Sequence, residues 1–348
     1  MHWKARTSRL CGVAQGRFGG HNGKMLMRSL SGRLSAFFSV ASGLAVMGAL
    51  PVLARQAEPV MPPSPTQIVE AAPPGDWVGI PADHLLVVDL APDAAGQARR
   101  VIIQLMNGPW SQGWIGNIRK LAAAHWWDGT SVNRVQDGYV VQWGDPLGDD
   151  KARAKPLPPG LLSVPQGAYT LTAGAAPAFS GPRVADGVYA VAERFYQGWP
   201  IATGPGDEPE TWPVHCYGSV GVGRDMPPDS GSGAELYAVI GNAPRQLDRN
   251  IAVVGRVISG MEWLSSLPRG KGDAGFYQKP GERTAITSIR LGSDVAGLPA
   301  WQYLSTDSAS FAAYLDARAN RRDPFYVRPA GGVDICNVPV PVRVTPAR

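Results

Sequence analysis

The hydrophobic and polar positions from residue 85 onwards predict a protein built mainly from short β-strands. Runs rich in branched residues, bounded by glycine, proline and other turn formers, are typical of strands. A turn at Pro92-Asp93 predicts that the first two runs form a β-hairpin, and two further strand-like pieces flank Asp137-Gly138 within Asn133–Trp143. The first two runs are Leu85–Leu90 and Arg100–Met106. The other strands are predicted at Leu236–Ile240, Ile251–Val257 and Ala285–Leu291.

Helical spacing is confined to short segments. Within Trp110–Ala124, Trp114, Ile118 and Leu121 recur at the spacing of one helix face, which predicts a short amphipathic helix. The chain contains 42 glycines and 32 prolines, a content that favours many turns and few long helices. Further helical segments are predicted at Val188–Gln197, Met261–Leu267 and Ser308–Ala319.

Two proline-rich stretches divide the chain. Residues 55–75 are predicted to form an extended linker. Residues 148–213 contain ten prolines and are predicted to be a long loop or subdomain inserted into the fold, since loops of this length are rarely structureless in compact domains. The main domain is then expected over 76–295, and residues 296–348 form a C-terminal extension.

The first 54 residues are typical of a secretory signal peptide. They contain seven basic residues and no acidic ones, and Arg28 and Arg33 precede an apolar run that ends at Leu53-Ala54. A signal seldom has so long a front extension, so the true start is expected at Met25 or Met27. An uncleaved membrane anchor is the alternative, although serine, glycine and proline make the run a poor membrane span. We therefore expect a periplasmic or secreted protein that contacts the membrane only through this segment before cleavage.

The net charge of +5 at pH 7 belongs to this leader. Of the 33 lysines and arginines, seven lie in residues 1–54, so 26 basic residues stand against 28 acidic ones in the remainder. A nucleic-acid-binding protein needs a basic face for the phosphate backbone. No nucleic-acid partner is therefore expected.

Few residues outside the leader could hold a cofactor. Only three histidines lie there, which gives little support to a metal site, and Gly221-Val222-Gly223 lacks the third glycine of a dinucleotide loop. We expect no metal and no cofactor. Cys216 and Cys336 are the two cysteines that remain, and an even pair in an oxidising compartment favours a disulfide, with two separate buried thiols as the alternative.

Three blocks of sequence resemble the cyclophilin-type peptidyl-prolyl cis–trans isomerases. Their order and approximate spacing agree with that family over residues from about 85 to 292, apart from the insertion. The resemblance implies a mainly β fold, a closed antiparallel eight-stranded barrel capped by short helices. The blocks are WDGTSVNRV with YVVQWGDP (127–135 and 139–146), GSGAELY (231–237), and NAP, LD and VVGRVISGM (242–244, 247–248 and 253–261).

The resemblance also assigns roles to individual residues. Arg134 matches the catalytic arginine of the family, and Gln142 matches the glutamine that supports it. Asn133, Arg224 and Glu235 occupy substrate-contacting positions with residue types that the family does not usually have there. Ile251 and Gln246 fall where the family has a histidine and a tryptophan that line the pocket. The resemblance implies proline-containing polypeptides as partners. The residues matching the substrate-binding positions are Tyr139, Val140, Glu235, Tyr237, Leu247, Asn133 and Arg224. Of these, Tyr139, Val140, Tyr237 and Leu247 match residues that line the proline pocket, with plain core packing as the alternative for Tyr139, Val140 and Leu247.

The reaction of this family requires no covalent chemistry. Amide resonance sets a barrier of about 18–20 kcal/mol to rotation of an X–Pro bond, and the enzyme has only to bind the twisted amide better than either planar form. A fixed arginine beside an apolar proline pocket supplies that preference. The resemblance implies that Glu235 lies near the groove, within reach of Arg134 or of a substrate amide. A carboxylate there would compete with substrate for the guanidinium or favour substrates with a basic residue next to proline; the alternative is that the side chain turns to solvent.

Three functions remain open from the sequence. The first is an isomerase acting on exported chains, with activity weakened by the altered substrate-contacting positions. The second is a cyclophilin-fold module that binds proline-containing segments or acts as a chaperone with little turnover. The third is an envelope scaffold in which the insertion and the C-terminal extension bind partners.

Overall fold

The computed structural model describes residues 61–172, 174–179, 182–185 and 188–346. The predicted signal peptide, residues 1–54, lies outside them. In this part of the chain α-helices are few and β-strands are many. The α-helices are α1 (Pro65–Glu70), α2 (Gln112–Ala123), α3 (Met261–Ser265) and α4 (Ala309–Ala319). The strands are β1 (Trp77–Ile80), β2 (Leu85–Leu90), β3 (Arg99–Leu105), β4 (Ser131–Val135), β5 (Val140–Gly144), β6 (Leu171–Thr172), β7 (Arg183–Ala185), β8 (Ala192–Tyr196), β9 (Trp199–Thr203), β10 (Glu210–Pro213), β11 (Ser219–Val222), β12 (Leu236–Val239), β13 (Val253–Ser259), β14 (Thr284–Leu291), β15 (Trp301–Leu304) and β16 (Val342–Val344).

Eight of these strands close into a barrel, in the order β11-β12-β5-β4-β14-β2-β3-β13. Every neighbouring pair is antiparallel, and β13 returns to β11 to close the ring. The predicted β2–β3 hairpin is present, with Leu90 paired to Arg99 beside the turn. The predicted mainly β, closed eight-stranded antiparallel barrel is therefore confirmed.

Strand β2 shows why the barrel strands are so uniformly hydrophobic. Successive side chains on a strand point to opposite faces. Leu86 and Val88 face the barrel core, whereas Leu85 and Val87 face outwards and pack against Tyr303 of β15. The outer face is thus covered by the sheet β1-β15-β16, which explains why both faces need apolar residues.

Helix α2 packs its apolar stripe onto the barrel. Trp114, Ile118 and Leu121 are fully buried in the barrel core, as their helical spacing predicts. The short helix α3 adds Leu264 to the same core. Both helices lie where the sequence predicts them, within two residues at each end.

The insertion is a subdomain with a sheet of its own, ordered β6-β10-β9-β8-β7. The helix predicted over Val188–Gln197 is wrong, because residues 192–196 form β8. This strand pairs with β9 in a hairpin whose turn residues, Gln197 and Gly198, have φ of 47° and 84°. Two positive φ values suit the twist of a hairpin and end any helix.

The insertion sheet and the C-terminal extension share a second hydrophobic core. Phe195 of β8 and Trp212 of β10 are buried there, and the ring of Phe195 lies edge-on to Phe311 of α4 at 5.1 Å. The other side of the sheet, including Trp199 and Ile201, joins the barrel core. The insertion is therefore wedged between the barrel and the extension.

Residues 61–75 contain a helix, so the extended linker predicted over 55–75 is wrong where the structure describes it. Ser64 caps the backbone N–H of Gln67, the Gln67 side chain bonds back to Ser64, and Pro65 occupies the first turn, where its missing N–H costs nothing. Helix α1 then packs Ile68 and Val69 against the second core. These local capping interactions and the shared core outweigh the prolines that suggested an extended chain.

The predicted disulfide is present. Cys216, which lies between β10 and β11, is bonded to Cys336 in the short 3₁₀ helix Ile335–Asn337. It ties the C-terminal extension back to the chain beside the barrel. Within the described part of the chain, no helix has the length and apolar character needed to cross a membrane.

Candidate active site

Strands β4 and β5 place Arg134 and Gln142 directly opposite each other. The register of this pair shifts between Val132 and Arg134, so Asn133 is the extra residue of a β-bulge. Bulges re-aim the neighbouring side chain. Here the bulge is braced by the Asn133 amide, which accepts a hydrogen bond from Ser131 Oγ at 2.7 Å and donates one to the carbonyl of Gly144 at 3.2 Å.

Asn133 is therefore a poor candidate for a substrate contact. Its side chain is buried and occupied by hydrogen bonds within the strand pair. The geometry does not support the contact with substrate implied by the resemblance. The Asn133 side chain instead stabilises the bulge in the strand that carries Arg134.

The guanidinium of Arg134 is held by three hydrogen bonds. Nε donates to the carbonyl of Ala274 at 2.6 Å, Nη1 donates to Gln142 Oε1 at 3.2 Å, and Nη2 donates to Gln136 Oε1. The partners come from the β4–β5 hairpin and from the loop before β14. The cation is thus fixed from two sides, and Gln142 supports it as the resemblance implies.

Two aromatic rings flank the same guanidinium. The Tyr139 and Phe276 ring centroids lie 5.6 Å and 5.4 Å from Arg134 Cζ. Burial lowers the pKa of Arg134, although an arginine stays charged at neutral pH. Among the described residues no carboxylate lies within ion-pair distance of it. Its charge is thus free to act on an electronegative atom of a ligand.

An apolar cluster lies beside Arg134. Strand pairing places Val140 opposite Val239, and the Tyr139 ring belongs both to this cluster and to the surroundings of Arg134. Ile251 packs into the same cluster. The four residues predicted to line a proline pocket are brought together. The cluster, called the pocket cluster below, consists of Tyr139, Val140, Tyr237, Val239, Leu247 and Ile251.

Glu235 does not pair with Arg134, and that expectation is wrong. Its carboxyl group accepts a hydrogen bond from the backbone N–H of Asp145 at 2.8 Å and another from the Gln142 side chain. Burial raises the pKa of Glu235 to about 8. A Cβ at Gly144 would lie 2.0 Å from Glu235 Oε1, so only glycine leaves room for this arrangement. Glu235 therefore acts on Arg134 only through Gln142.

Arg224 lies just after β11, at the edge of the same region. Its Nε donates to the carbonyl of Asn250 at 3.1 Å, and Nη1 donates to the carbonyl of Asp225 at 2.7 Å. These bonds hold the loop after β11 against the turn that carries Leu247. A direct contact of Arg224 with substrate stays a prediction.

The sequence pattern assigned no role to the loop before β14, although this loop supplies Ala274 and Phe276 to Arg134. The residue in the sequence that could have indicated this role is Gly275. A Cβ at Gly275 would lie 2.7 Å from the Gln136 Cα, and Gly275 has φ of +82°. This close approach of the loop to the β4–β5 turn requires glycine.

Groups that could hold a metal are sparse in this region. Within the described residues, no three histidine, cysteine, aspartate or glutamate side chains lie together as metal ligands would. What the site contains is a fixed cation, an amide that supports it and an apolar cluster. That combination can bind an amide next to an apolar ring.

Comparison with known proteins points to one family. The model of the family described as cyclophilin type peptidyl-prolyl cis-trans isomerase/CLD matches residues 86–291. Among solved structures, the chain is similar to the cyclophilin AquaCyp293 from Hirschia baltica, with 22% identity and a TM-score of 0.57 over 79% of this chain and 96% of that one. No curated protein matches the sequence.

A second similar structure is a cyclophilin type peptidyl-prolyl cis-trans isomerase of Cryptosporidium parvum, solved in the presence of the dipeptide Ala-Pro. It has 14% identity and a TM-score of 0.33 over 59% of this chain and 98% of that one. At 22% identity, the Hirschia structure supports the fold alone. The family model spans more than half of the chain and includes the barrel with Arg134 and the pocket cluster. The chain therefore belongs to the cyclophilin-type peptidyl-prolyl cis–trans isomerase family.

Proposed function

We propose that this isomerase acts on exported or periplasmic polypeptides, and that it does so by binding the twisted X–Pro amide with Arg134 while the pocket cluster holds the proline ring. One observation carries the mechanism. A guanidinium that has no carboxylate partner among the described residues, and is fixed by three hydrogen bonds, lies beside an apolar cluster that contains Val140 and Tyr237.

The chemistry follows from the amide itself. In the twisted form, resonance is lost and the proline nitrogen regains a localised lone pair, which accepts a hydrogen bond better than a planar amide nitrogen does. A donor that is stronger toward this form than toward the planar form lowers the barrier. Because Ala274, Gln136 and Gln142 hold the Arg134 guanidinium in place, little of that stabilisation is spent on reorganising the cation.

The pocket cluster supplies binding rather than chemistry. Burying the three ring methylenes of proline contributes roughly 2 kcal/mol, at about 0.8 kcal/mol each. That is enough to select proline but not to bind a peptide tightly. We therefore expect weak binding of short peptides and turnover that depends on Arg134.

A binding module with little turnover is the second candidate. Gln246, which stands where the family has a tryptophan beside the pocket, is exposed to solvent, and the Asn133 and Glu235 side chains are engaged within the protein. Fewer side chains are thus available to position the substrate backbone than the family pattern provides. A protein of this kind would bind proline segments but accelerate their rotation little.

A protease-free isomerisation assay separates the two candidates. Exchange between cis and trans isomers is measured by NMR on a panel of X–Pro peptides, with peptide affinity measured in the same samples. Catalysed exchange on at least one peptide supports the isomerase. Saturable binding without catalysed exchange on any peptide would favour the binding module.

The cellular location of the protein is tested separately. The leader-like charge pattern of residues 1–54 and the Cys216–Cys336 disulfide both suit an oxidising, exported location. We expect cell fractionation to find a chain that begins after Ala54 in the periplasm or medium. A chain that begins before Ala54, at Met25 or Met27 or earlier, and is found in the cytoplasmic fraction would contradict the exported assignment.

A further inference from the structure

A buried chain of polar groups lies behind the pocket cluster. The Tyr237 hydroxyl is 2.8 Å from His215 Nε2, and His215 Nδ1 is 2.9 Å from Asp248 Oδ1. The backbone N–H of His215 also donates to Asp248 Oδ1, at 3.0 Å. All three residues are at most 5% exposed. Every polar atom of the imidazole is thus engaged inside the protein.

The proton positions follow from the partners. Burial opposes ionisation of Asp248, but hydrogen bonds from His215 and Arg245 and the charge of Arg245 outweigh it, so its pKa lies below the usual range. An ionised carboxylate can only accept, so His215 Nδ1 carries a hydrogen and donates it. In the neutral ring Nε2 is then an acceptor, and the Tyr237 O–H donates to it.

The network of buried polar groups continues from Asp248 into the insertion. Asp248 Oδ2 lies 2.7 Å from Arg245 Nε, and Arg245 Nη2 forms an ion pair with Glu193 Oε1 at 2.7 Å. Glu193 belongs to β8 of the insertion sheet and is 1% exposed. Leu247, a wall of the pocket, lies between Arg245 and Asp248 in one short turn. The insertion is thus tied to that turn by a buried ion pair.

We propose that His215 and Asp248 are positioning residues for the proline pocket, and that Glu193 of the insertion holds them in place. The network joins two pocket walls that come from separate parts of the chain, the Tyr237 ring on β12 and Leu247 in the 245–248 turn. This inference rests on the proposed function, since it assumes that the pocket cluster binds proline. It assigns the insertion a part in building the active site.

The physical argument is one of rigidity. Apolar contacts alone allow a tyrosine ring and a leucine turn to shift. Hydrogen bonds from Tyr237 to Arg245, continued by the Arg245–Glu193 ion pair in a low-dielectric interior, have one well-defined arrangement. The arrangement is also costly to break, because each buried polar group left without a partner pays its full desolvation penalty. A buried network of this length is explained if the two walls must keep a fixed separation.

The test uses Tyr237→Phe and Glu193→Gln in the full mature protein. Tyr237→Phe keeps the ring and removes only the hydroxyl that reaches His215, and Glu193→Gln removes the charge that the insertion offers Arg245. Misplaced walls weaken the grip on proline in the planar and twisted forms alike. We therefore expect KM and the peptide Kd to rise about fivefold in each variant, with kcat little changed.

Tyr314→Phe is the matched control. Tyr314 is also a buried tyrosine, and its hydroxyl donates to the carbonyl of Pro339 at 2.9 Å in the C-terminal extension. We expect it to lower Tm as Tyr237→Phe does and to leave KM, kcat and the peptide Kd at wild-type values. This separates the loss of a buried hydrogen bond from the loss of pocket geometry.

The outcomes distinguish this inference from the function on which it rests. Wild-type KM and Kd in both variants, or a loss of kcat alone, would overturn the positioning role while leaving the isomerase intact. Peptide binding without catalysis in the wild type would end the proposed mechanism, and the Kd of the two variants would still decide the positioning role. No binding of any proline peptide by the wild type would overturn both.

Discussion

Glu235 offers a direct test of the electrostatics of the site, because the folded protein favours the protonated form of its carboxyl group. Glu235→Gln retains an oxygen that accepts from the Asp145 N–H but can no longer ionise. In the wild type, burial raises the pKa of this carboxyl from the ordinary 4.5 to about 8. The variant should therefore differ from the wild type in the pH dependence of stability more than in structure.

The sign of the effect follows from proton linkage. Between pH 4.5 and about 8 the folded chain keeps a proton on Glu235 that the unfolded chain has lost. The free energy of unfolding therefore falls as pH rises through this window, by at most about 1.4 kcal/mol per pH unit for one proton. The contribution is complete below pH 4.5 and absent above about pH 8. Glu235→Gln should flatten this slope.

The measurement is urea unfolding of both proteins at pH 5, 6.5 and 8, with the disulfide intact. We expect the variant to gain stability relative to the wild type at each step, by about 1 kcal/mol or more per pH unit. Glu262→Gln, a change at an exposed glutamate on α3, is the control and should keep the wild-type slope. Parallel pH curves for the wild type and Glu235→Gln would refute a protonated, buried Glu235.

Two further predictions address the frame around the site. Replacing Cys216 and Cys336 by alanine should lower the free energy of unfolding by about 3–5 kcal/mol, because the disulfide closes a loop of 120 residues; two alkylatable thiols in the unreduced, unfolded wild type would contradict the bond. Gly275→Ala should displace the loop that holds Arg134 and lower kcat about tenfold, because its Cβ would meet the β4–β5 turn at 2.7 Å. Gly281→Ala, where a Cβ meets nothing within 4 Å, should leave kcat unchanged, and equal kcat values in the two variants would remove the loop from the mechanism.

Most of the barrel could be predicted from the sequence because strands such as β2 and β14 are long enough to show their pattern, whereas the four-residue strand β11 was not predicted. Leu85–Leu90 and Ala285–Leu291 are continuous apolar or alternating runs bounded by turn formers, and the resemblance around Arg134 supplied their arrangement. Their boundaries agree with the structure to within one residue. In these strands the local sequence pattern and the observed fold agree.

The insertion could not be predicted, because its strands depend on packing. They are two to five residues long and are interrupted by prolines, so no periodicity survives in them. Val188–Gln197 has the composition of a helix, yet residues 192–196 bury Glu193 and Phe195 on alternate positions against partners far away in the chain. Tertiary contacts outweighed local preference in this segment.

The network behind the pocket was hidden for a related reason. Tyr237, His215 and Asp248 lie 11 to 33 residues apart, and each has an ordinary interpretation when taken alone. Only the pairing of β12 with β11 and the turn after β12 bring them together. Glu235 shows the converse, since the sequence places it correctly near the site but cannot give the direction of its carboxyl.

The central claim, that Arg134 acts on the twisted amide, is tested most directly by Arg134→Ala in the protease-free assay. Because the cation acts mainly on the twisted state, we expect kcat to fall about a hundredfold while the peptide Kd changes less than about threefold. Arg100→Ala, which removes an exposed strand arginine paired with Asp89, should keep wild-type values and controls for the loss of a charge. Wild-type kcat in Arg134→Ala, with the fold intact, would contradict the mechanism.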